Sequence, residues 1–149
     1  MSIRRTFHNV LVGDLAAARD FYVGFLGLVV KFSSDWFIHV AIPDAPDLEL
    51  GLFRADHELV PEAWRGAPRG GMLTVVVDDV NEVFEAAKSQ GVPIVEPPRD
   101  LFFGQRRMLL RDPDGTLVDI SSECPPDPAW MARVRDLGDG VFEESPTDA

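Results

Sequence analysis

A single cysteine, Cys124, is all the thiol this chain carries, so no internal disulfide can form. It lies beside Pro125 and Pro126 and reads as a bystander rather than a nucleophile. Basic residues are also scarce: 14 Lys and Arg stand against 25 Asp and Glu, a formal charge of −11. Nucleic acid and anionic membrane both demand basic surface, and this balance excludes them as partners. No apolar run approaches bilayer length, and the N-terminus lacks the apolar segment of a secretory signal. Together these absences point to a cytoplasmic protein.

What is present suffices for one core. The 149 residues are 46% hydrophobic and 26% charged, which reads as a soluble, globular single domain spanning 1–149. Seven acidic and two basic residues from Glu123 onward place much of the charge imbalance in a C-terminal tail, 123–149. Within it, Asp127-Pro128 is placed to start a short helix through Arg135 that packs through Trp130, Met131 and Val134. The last residues, Asp139 to Ala149, are acidic and expected to be mobile.

The sharpest local signal is Asp112-Pro113-Asp114-Gly115. Proline fixes φ, the Asp side chains bond nearby backbone, and Gly115 accepts a left-handed conformation, so the tetrapeptide turns a β-hairpin. After it, Thr116 to Ser121 alternates with the two-residue period of a strand, placing Leu117, Asp119 and Ser121 on one face and Val118 and Ile120 on the other.

The rest of the chain repeats one unit. Arg4 to Gly13 is a strand, and Asp14 caps a helix whose stripe is Leu15, Ala18, Tyr22 and Leu26, ended by Gly27. Short strands follow at Leu28 to Phe32, Trp36 to Ile42 and Asp47 to Phe53. Residues 55–71, rich in Pro and Gly, form a linker with one helical turn near Pro61 to Trp64. The pattern then restarts at Met72: a strand, a helix opened by Asp79 with Glu82 in capping-box spacing, Gly91 as its stop, and a strand at Val92 to Glu96. Pro97 to Asp100 reads as a loop before the final hairpin. Strand-helix-strand-strand-strand thus occurs twice, over 5–54 and 72–122.

Each half makes a small sheet with its helix on one face. Parity gives His8, Val10, Val12, Leu48, Leu50, Leu52, Leu73, Val75, Val77, Val118 and Ile120 to the helix side. Side by side, the opposite faces form a cup lined by Phe7, Asn9, Leu11, Glu49, Met72, Thr74, Val76, Leu117, Asp119 and Ser121. This is an apolar lining with two carboxylates, as small-molecule sites are built. The fold class is therefore α+β: two βαβββ modules forming a cupped mixed sheet with helices on the outer face.

The run from Phe7 through Asp14 to Phe21-Tyr22 and Leu26-Gly27-Leu28, then Val77-Asp78-Asp79, Gly91-Val92, Phe103-Gly104-Gln105-Arg106 and Asp112 to Gly115, resembles the vicinal oxygen chelate superfamily. That group includes glyoxalase I, extradiol dioxygenases, and the fosfomycin and bleomycin resistance proteins. The likeness covers about residues 5 to 122 and implies a homodimer in many members, with sites sometimes shared between chains. It also implies a divalent metal held by a His on the first strand and a Glu on the last strand of each module. Those positions are here Phe7, Glu49, Met72 and Asp119. Phe and Met cannot serve a hard or borderline metal, and two carboxylates alone are a poor cage for zinc, nickel or iron. The residues therefore call for no metal and no cofactor.

The histidines offer limited rescue. His8 falls on the helix-facing side and is expected to be a hydrogen-bonded core histidine; a bulge would turn it into the cup. His39 and His57 are expected on the surface or rim. Beside Asp119, pairing Arg111 with Thr116 brings Arg106 into the cup; a slip of one residue substitutes Arg107. Either arginine would present a guanidinium to an anionic ligand group or merely neutralise Asp119.

Three functions follow. One is a metal-free, bleomycin-resistance-like protein that binds a small planar or cationic molecule between Phe7, Met72, Trp36 and Phe103. Another is an isomerase or lyase without a metal, using Glu49 or Asp119 as general base. The last is a divalent-metal-dependent lyase or dioxygenase with a noncanonical ligand set.

Overall fold

The computed structural model describes residues 1–137. The chain divides into two compact units: Met1–Leu73 with Leu110–Val118, and Thr74–Leu109 with the chain from Asp119. The architecture is α+β, with a four-stranded sheet for each βαβββ module.

The first sheet contains β1 (His8–Val12), β2 (Val29–Ser33), β3 (Phe37–Ile42) and β4 (Ala45–Arg54), in the order β1-β4-β3-β2. β1 runs parallel to β4, and the other pairs are antiparallel. The register sorts every side chain to a face. Val10, Leu52 and Ile38 form one row across the sheet, with Leu50 and Val40 beside them. All five are buried with Val12 against the helix. This is the alternation expected of a sheet covered on one side.

Asp14 caps the helix as expected, its Oδ1 accepting from the Ala16 and Ala17 amides. The single continuous helix expected after it is not what forms. α1 covers Leu15–Arg19, and Asp20–Phe25 continues as a π-helix in which the Leu26 amide donates to the Phe21 carbonyl. The wider turn lets the adjacent Phe21 and Tyr22 both face inward, their rings edge to face at 4.9 Å. Gly27 then adopts φ 77 and ends the helix. Two residues assigned to the covered face depart from it: Leu48 and His8 are both exposed. β4 begins at Ala45, so its first half extends beyond the part this helix covers. His8 occupies the first position of β1 for the same reason, and it is no core histidine.

The Asp112-to-Gly115 turn is held by its own carboxylates. Asp112 Oδ1 accepts the amides of Asp114 and Thr116, and its Oδ2 accepts the Tyr22 hydroxyl at 2.7 Å, with both residues buried. Asp114 Oδ1 accepts the Gly13 amide at 2.7 Å, and Gly115 takes φ 93. Burial, followed by the charge and hydrogen bond of Asp112, pushes the Tyr22 phenol strongly upward.

The second sheet has the order β5-β8-β7-β6, with β5 (Met72–Val76), β6 (Ile94–Leu101), β7 (Gln105–Arg111) and β8 (Leu117–Glu123). α2 (Val80–Gln90) is capped by Asp79 through the Asn81 amide and closed by Gly91 at φ 68. The loop expected at Pro97 to Asp100 is instead part of β6. β6 is the edge strand, where a proline costs no ladder hydrogen bond. β8 lies inside the sheet and is buried from Val118 to Ser122. Between the modules a 3-10 turn forms at Glu62–Trp64. α3 (Pro128–Leu137) starts where Asp127 accepts the Ala129 amide, and Trp130 packs edge-on to Phe102. The acidic, mobile tail expected at Asp139 to Ala149 lies outside the described residues. No helix among the described residues is long and apolar enough to cross a membrane.

Tyr22→Phe should lower unfolding stability by about 1.5–3 kcal/mol, because it strips a charge-assisted hydrogen bond from buried Asp112. Urea unfolding of the two proteins checks this, and a loss under about half a kcal/mol would show that water replaces the phenol at no cost.

Candidate functional site

The uncovered face of the first sheet follows from the same register. Asn9, Gly51 and His39 form one row, Leu11, Phe53 and Phe37 the next, and Glu49 lies opposite Ala41. Phe7, just before β1, stacks obliquely on His39 with ring centroids 5.1 Å apart. From there the rings run on: Phe37 is 5.9 Å from His39, Phe53 5.7 Å from Phe37, and Trp36 5.1 Å from Phe53. His57, from beyond β4, stacks on Trp36 at 4.5 Å. The result is a continuous aromatic ribbon across one sheet face. Gly51 is required beneath it: a Cβ there would collide with Asn9 Oδ1 and come within 2.7 Å of Phe37 Cε2.

At one end of the ribbon sits Glu49, whose side chain is 3% exposed. Arg5 grips it through two nitrogens, Nε to Oε2 and Nη2 to Oε1, the latter at 2.7 Å. Lys31 Nζ reaches Oε1 at 2.5 Å and also donates to the Pro46 carbonyl at 3.1 Å. Lys31 can do so because β2 bulges between Val30 and Phe32. Hydrogen bonds from Arg5 and then Lys31 hold the Glu49 carboxyl down to about 2. His39 Nε2 lies 3.0 Å from Arg5 Nη2 and 3.3 Å from Glu49 Oε1. Burial lowers its pKa, and the nearby Arg5 and Lys31 add to that against the pull of Glu49. A neutral imidazole then accepts from Arg5. The Arg5 guanidinium also covers the Phe7 ring at 4.7 Å.

Beside β1, a cleft of about 660 Å³ is lined by His8, Asn9, Leu11, Trp64, Pro68 and Met72, among others. It collects Asn9, Leu11 and Met72, three of the residues assigned to the cup by parity. Leu117 is half-buried at the start of β8.

The face of the second sheet carries a different cluster. Asp119 is 6% exposed, and its Oδ2 accepts the Thr74 hydroxyl at 3.4 Å. Its Oδ1, Ser121 Oγ and Arg107 Nε are buried without a protein partner among the described residues. Burial raises the Asp119 pKa, while Arg107 and the Thr74 hydroxyl lower it. Arg106 does not join this face, so the Arg111–Thr116 pairing that would bring it there is not the one that forms. It bonds Asn81 on α2 at 3.0 Å and Asp100 at 2.9 Å. The hairpin closes on the Asp112 amide and the Thr116 carbonyl rather than on Arg111, because the Asp112 side chain draws its own backbone into the turn. That one-residue slip puts Arg107 in Arg106's place. Phe103 is exposed at the β6–β7 turn, edge-on to Phe102. Among the described residues of its own unit, no hydrogen bond or ring contact joins it to the Asp119 cluster.

Arg5, Lys31, His39, Phe37 and Phe53 join the site in addition to the residues expected from strand parity. Arg5 shares the parity of Phe7 and Asn9, and Phe53 shares that of Glu49, so both were readable from their strands. His39 and Phe37 required the β3–β4 register, and Lys31 required the bulge.

The donor set does not fit a divalent metal. Phe7 offers no ligand atom, the Met72 thioether suits only soft metals, both Glu49 oxygens are engaged by cations, and no three His, Cys, Asp or Glu side chains gather among the described residues.

Residues 5–120 match the family described as the Glyoxalase/Bleomycin resistance protein/Dioxygenase superfamily. Among solved structures, the chain is similar to a superfamily member from Sphaerobacter thermophilus, 25% identical with a TM-score of 0.67 over 82% of this chain and 98% of that one. It is similar to the antibiotic binding protein TnmS3 from a Streptomyces species: 25% identity, TM-score 0.65, covering 83% and 98%. A virulence protein from Salmonella typhimurium gives 27% identity and a TM-score of 0.64 over 83% and 99%. No curated protein sequence matches significantly.

A carboxyl held at about 2, below its ordinary 4.5, adds stability above pH 4.5 that drains away as pH falls toward 2. The wild type should therefore lose more stability than Glu49→Gln across that window. Parallel acid-unfolding curves for the two proteins would contradict the clamp.

Proposed function

The chain belongs to the glyoxalase/bleomycin resistance protein/dioxygenase superfamily, and from that membership we propose that it binds a small planar aromatic molecule on the ring-lined face of its first module, without a metal. The aromatic ribbon carries this reading. Six rings from Phe7 to His57, at successive centroid distances of 4.5 to 5.9 Å and in tilted, edge-on and stacked pairs, offer a continuous polarisable surface of ring faces and edges to an aromatic ligand. A compact apolar core does not need such a row on the uncovered side of its sheet. The likeness to an antibiotic binding protein supports a small-molecule ligand. The proposal includes a homodimer in the cytoplasm: Met72 and Val76, both on β5, are apolar and exposed in the single chain.

A second reading rests on Asp119. Its buried carboxyl, with one oxygen unpartnered, has the raised pKa of a proton-transfer group, and a metal-independent isomerase or lyase could use it. Glu49 is unsuited to that role, since a carboxylate clamped by two cations is a weak base near neutral pH.

Titration with neutral naphthamide, followed through tryptophan emission, tests the binding reading. Saturable quenching is expected, and Phe37→Ala should weaken it roughly three- to tenfold through the loss of one aromatic contact. An unchanged affinity in that variant would place the ligand elsewhere. For the second reading, Asp119→Asn should abolish any turnover found with small keto acids. Under the binding reading it should leave naphthamide affinity within about twofold while raising the melting temperature, as a buried charge is removed.

A further inference from the structure

We propose that Arg5 and Lys31 form a fixed anion-recognition centre at the end of the aromatic ribbon, so that the ligand is a planar aromatic acid whose carboxylate, sulfonate or phenolate oxygen docks on them. The inference rests on the reading of the ribbon as a ligand surface and adds the ligand's charge.

Hydrogen-bond valence supports it first. Glu49 and His39 engage Arg5 Nε and Nη2. The two N–H groups on Arg5 Nη1 have no partner among the described residues. Lys31 spends two of its three N–H donors, on Glu49 and the Pro46 carbonyl. Three charge-assisted donors therefore remain beside the rings, enough for one anionic oxygen pair.

Charge supports it next. The open cavity here, about 850 Å³, is lined by Arg4, Arg5, Lys31, Asp47 and Glu49, with Thr6, Phe32, His39 and Leu48. Three cations face two carboxylates, a local surplus of positive charge on a chain whose formal charge is −11. Burial disfavours a charge on His39, so it adds little to that balance. A cationic ligand, which the acidic composition favours, would meet repulsion here.

The third argument is preorganisation. Arg5 is pinned from below by Glu49, braced by His39, and laid over Phe7. An arginine already immobilised loses little entropy when it captures an anion. Glu49 and His39 are residue types that elsewhere hold a metal cation; here they hold a cation that belongs to the chain itself.

The probes are naphthoate, naphthamide and naphthylmethylammonium, equal in ring and different in charge. Naphthoate should bind at least fivefold more tightly than naphthamide, roughly the benefit of one partly screened ion pair, and the ammonium should bind most weakly. Raising salt to roughly 0.3 M should erode the naphthoate preference alone. Lys31→Gln, which leaves the Arg5–Glu49 pair to preserve the fold, should narrow the naphthoate-to-naphthamide ratio by about threefold or more, as one charge–charge contact is lost. A ratio below fivefold, or tighter binding of the ammonium, overturns the proposal while leaving the ribbon reading intact. Failure of all three probes to bind would sink both.

Discussion

A carboxylate on a side chain only 3% exposed has to be satisfied or protonated, and the chain satisfies Glu49 from within. Arg5 comes from the segment before β1, Lys31 from a bulge in β2, and His39 from β3. Three separate pieces of the first module thus converge on one side chain of β4. The clamp fixes the N-terminal segment to the sheet, laying Arg5 over Phe7 and Phe7 against His39. Without that contact the ribbon would lose its first ring and its charged end together.

The same sheet serves two purposes because strands alternate. Val10, Leu52 and Ile38 point to the helix and bury, while the row one residue along, Asn9, Gly51 and His39, builds the site. Gly51 shows how tightly the two requirements are joined: the absence of a side chain in mid-strand is what lets Asn9 and Phe37 close over it. In the second module the equivalent strand carries Asp119, which among the described residues has no cation directly bonded to it and keeps one unpartnered oxygen. The two carboxylates, alike in strand position, therefore differ in chemistry. One is fixed as an anion by hydrogen bonds, and the other is pushed toward its neutral form by burial.

Much of this was legible in the sequence because it depends on local chemistry. Asp14 and Asp79 as caps, Gly27 and Gly91 as stops, and the Asp112-to-Gly115 turn all follow from residues a few positions apart. Parity placed Phe7, Asn9 and Glu49 on one face, where the register confirms that Asn9 and Glu49 share a side. What escaped depends on partners far away in sequence. The bulge that swings Lys31 toward Glu49, and the pairing of His39 with Gly51, are decided by strand register rather than by composition. The choice between Arg106 and Arg107, which the sequence leaves open, is settled for Arg107 by a hairpin closed at Asp112, whose side chain accepts the Thr116 amide. Pro97 and Pro98 read as a loop because the edge position of β6, which tolerates them, is a property of the sheet.

The Glu49 clamp gains its significance from the metal chemistry the superfamily resemblance implies, since both Glu49 oxygens are already engaged by Arg5 and Lys31 and a divalent cation would have to displace or repel those charges. NMR spectra of protein labelled at the Glu and His side chains, recorded as manganese is added, test this most directly. The account predicts that the Glu49 carboxyl and His39 imidazole signals stay sharp at equimolar metal, with Glu49 titrating near 2. Selective broadening of both signals, or a Glu49 midpoint in the ordinary carboxylate range, would contradict it.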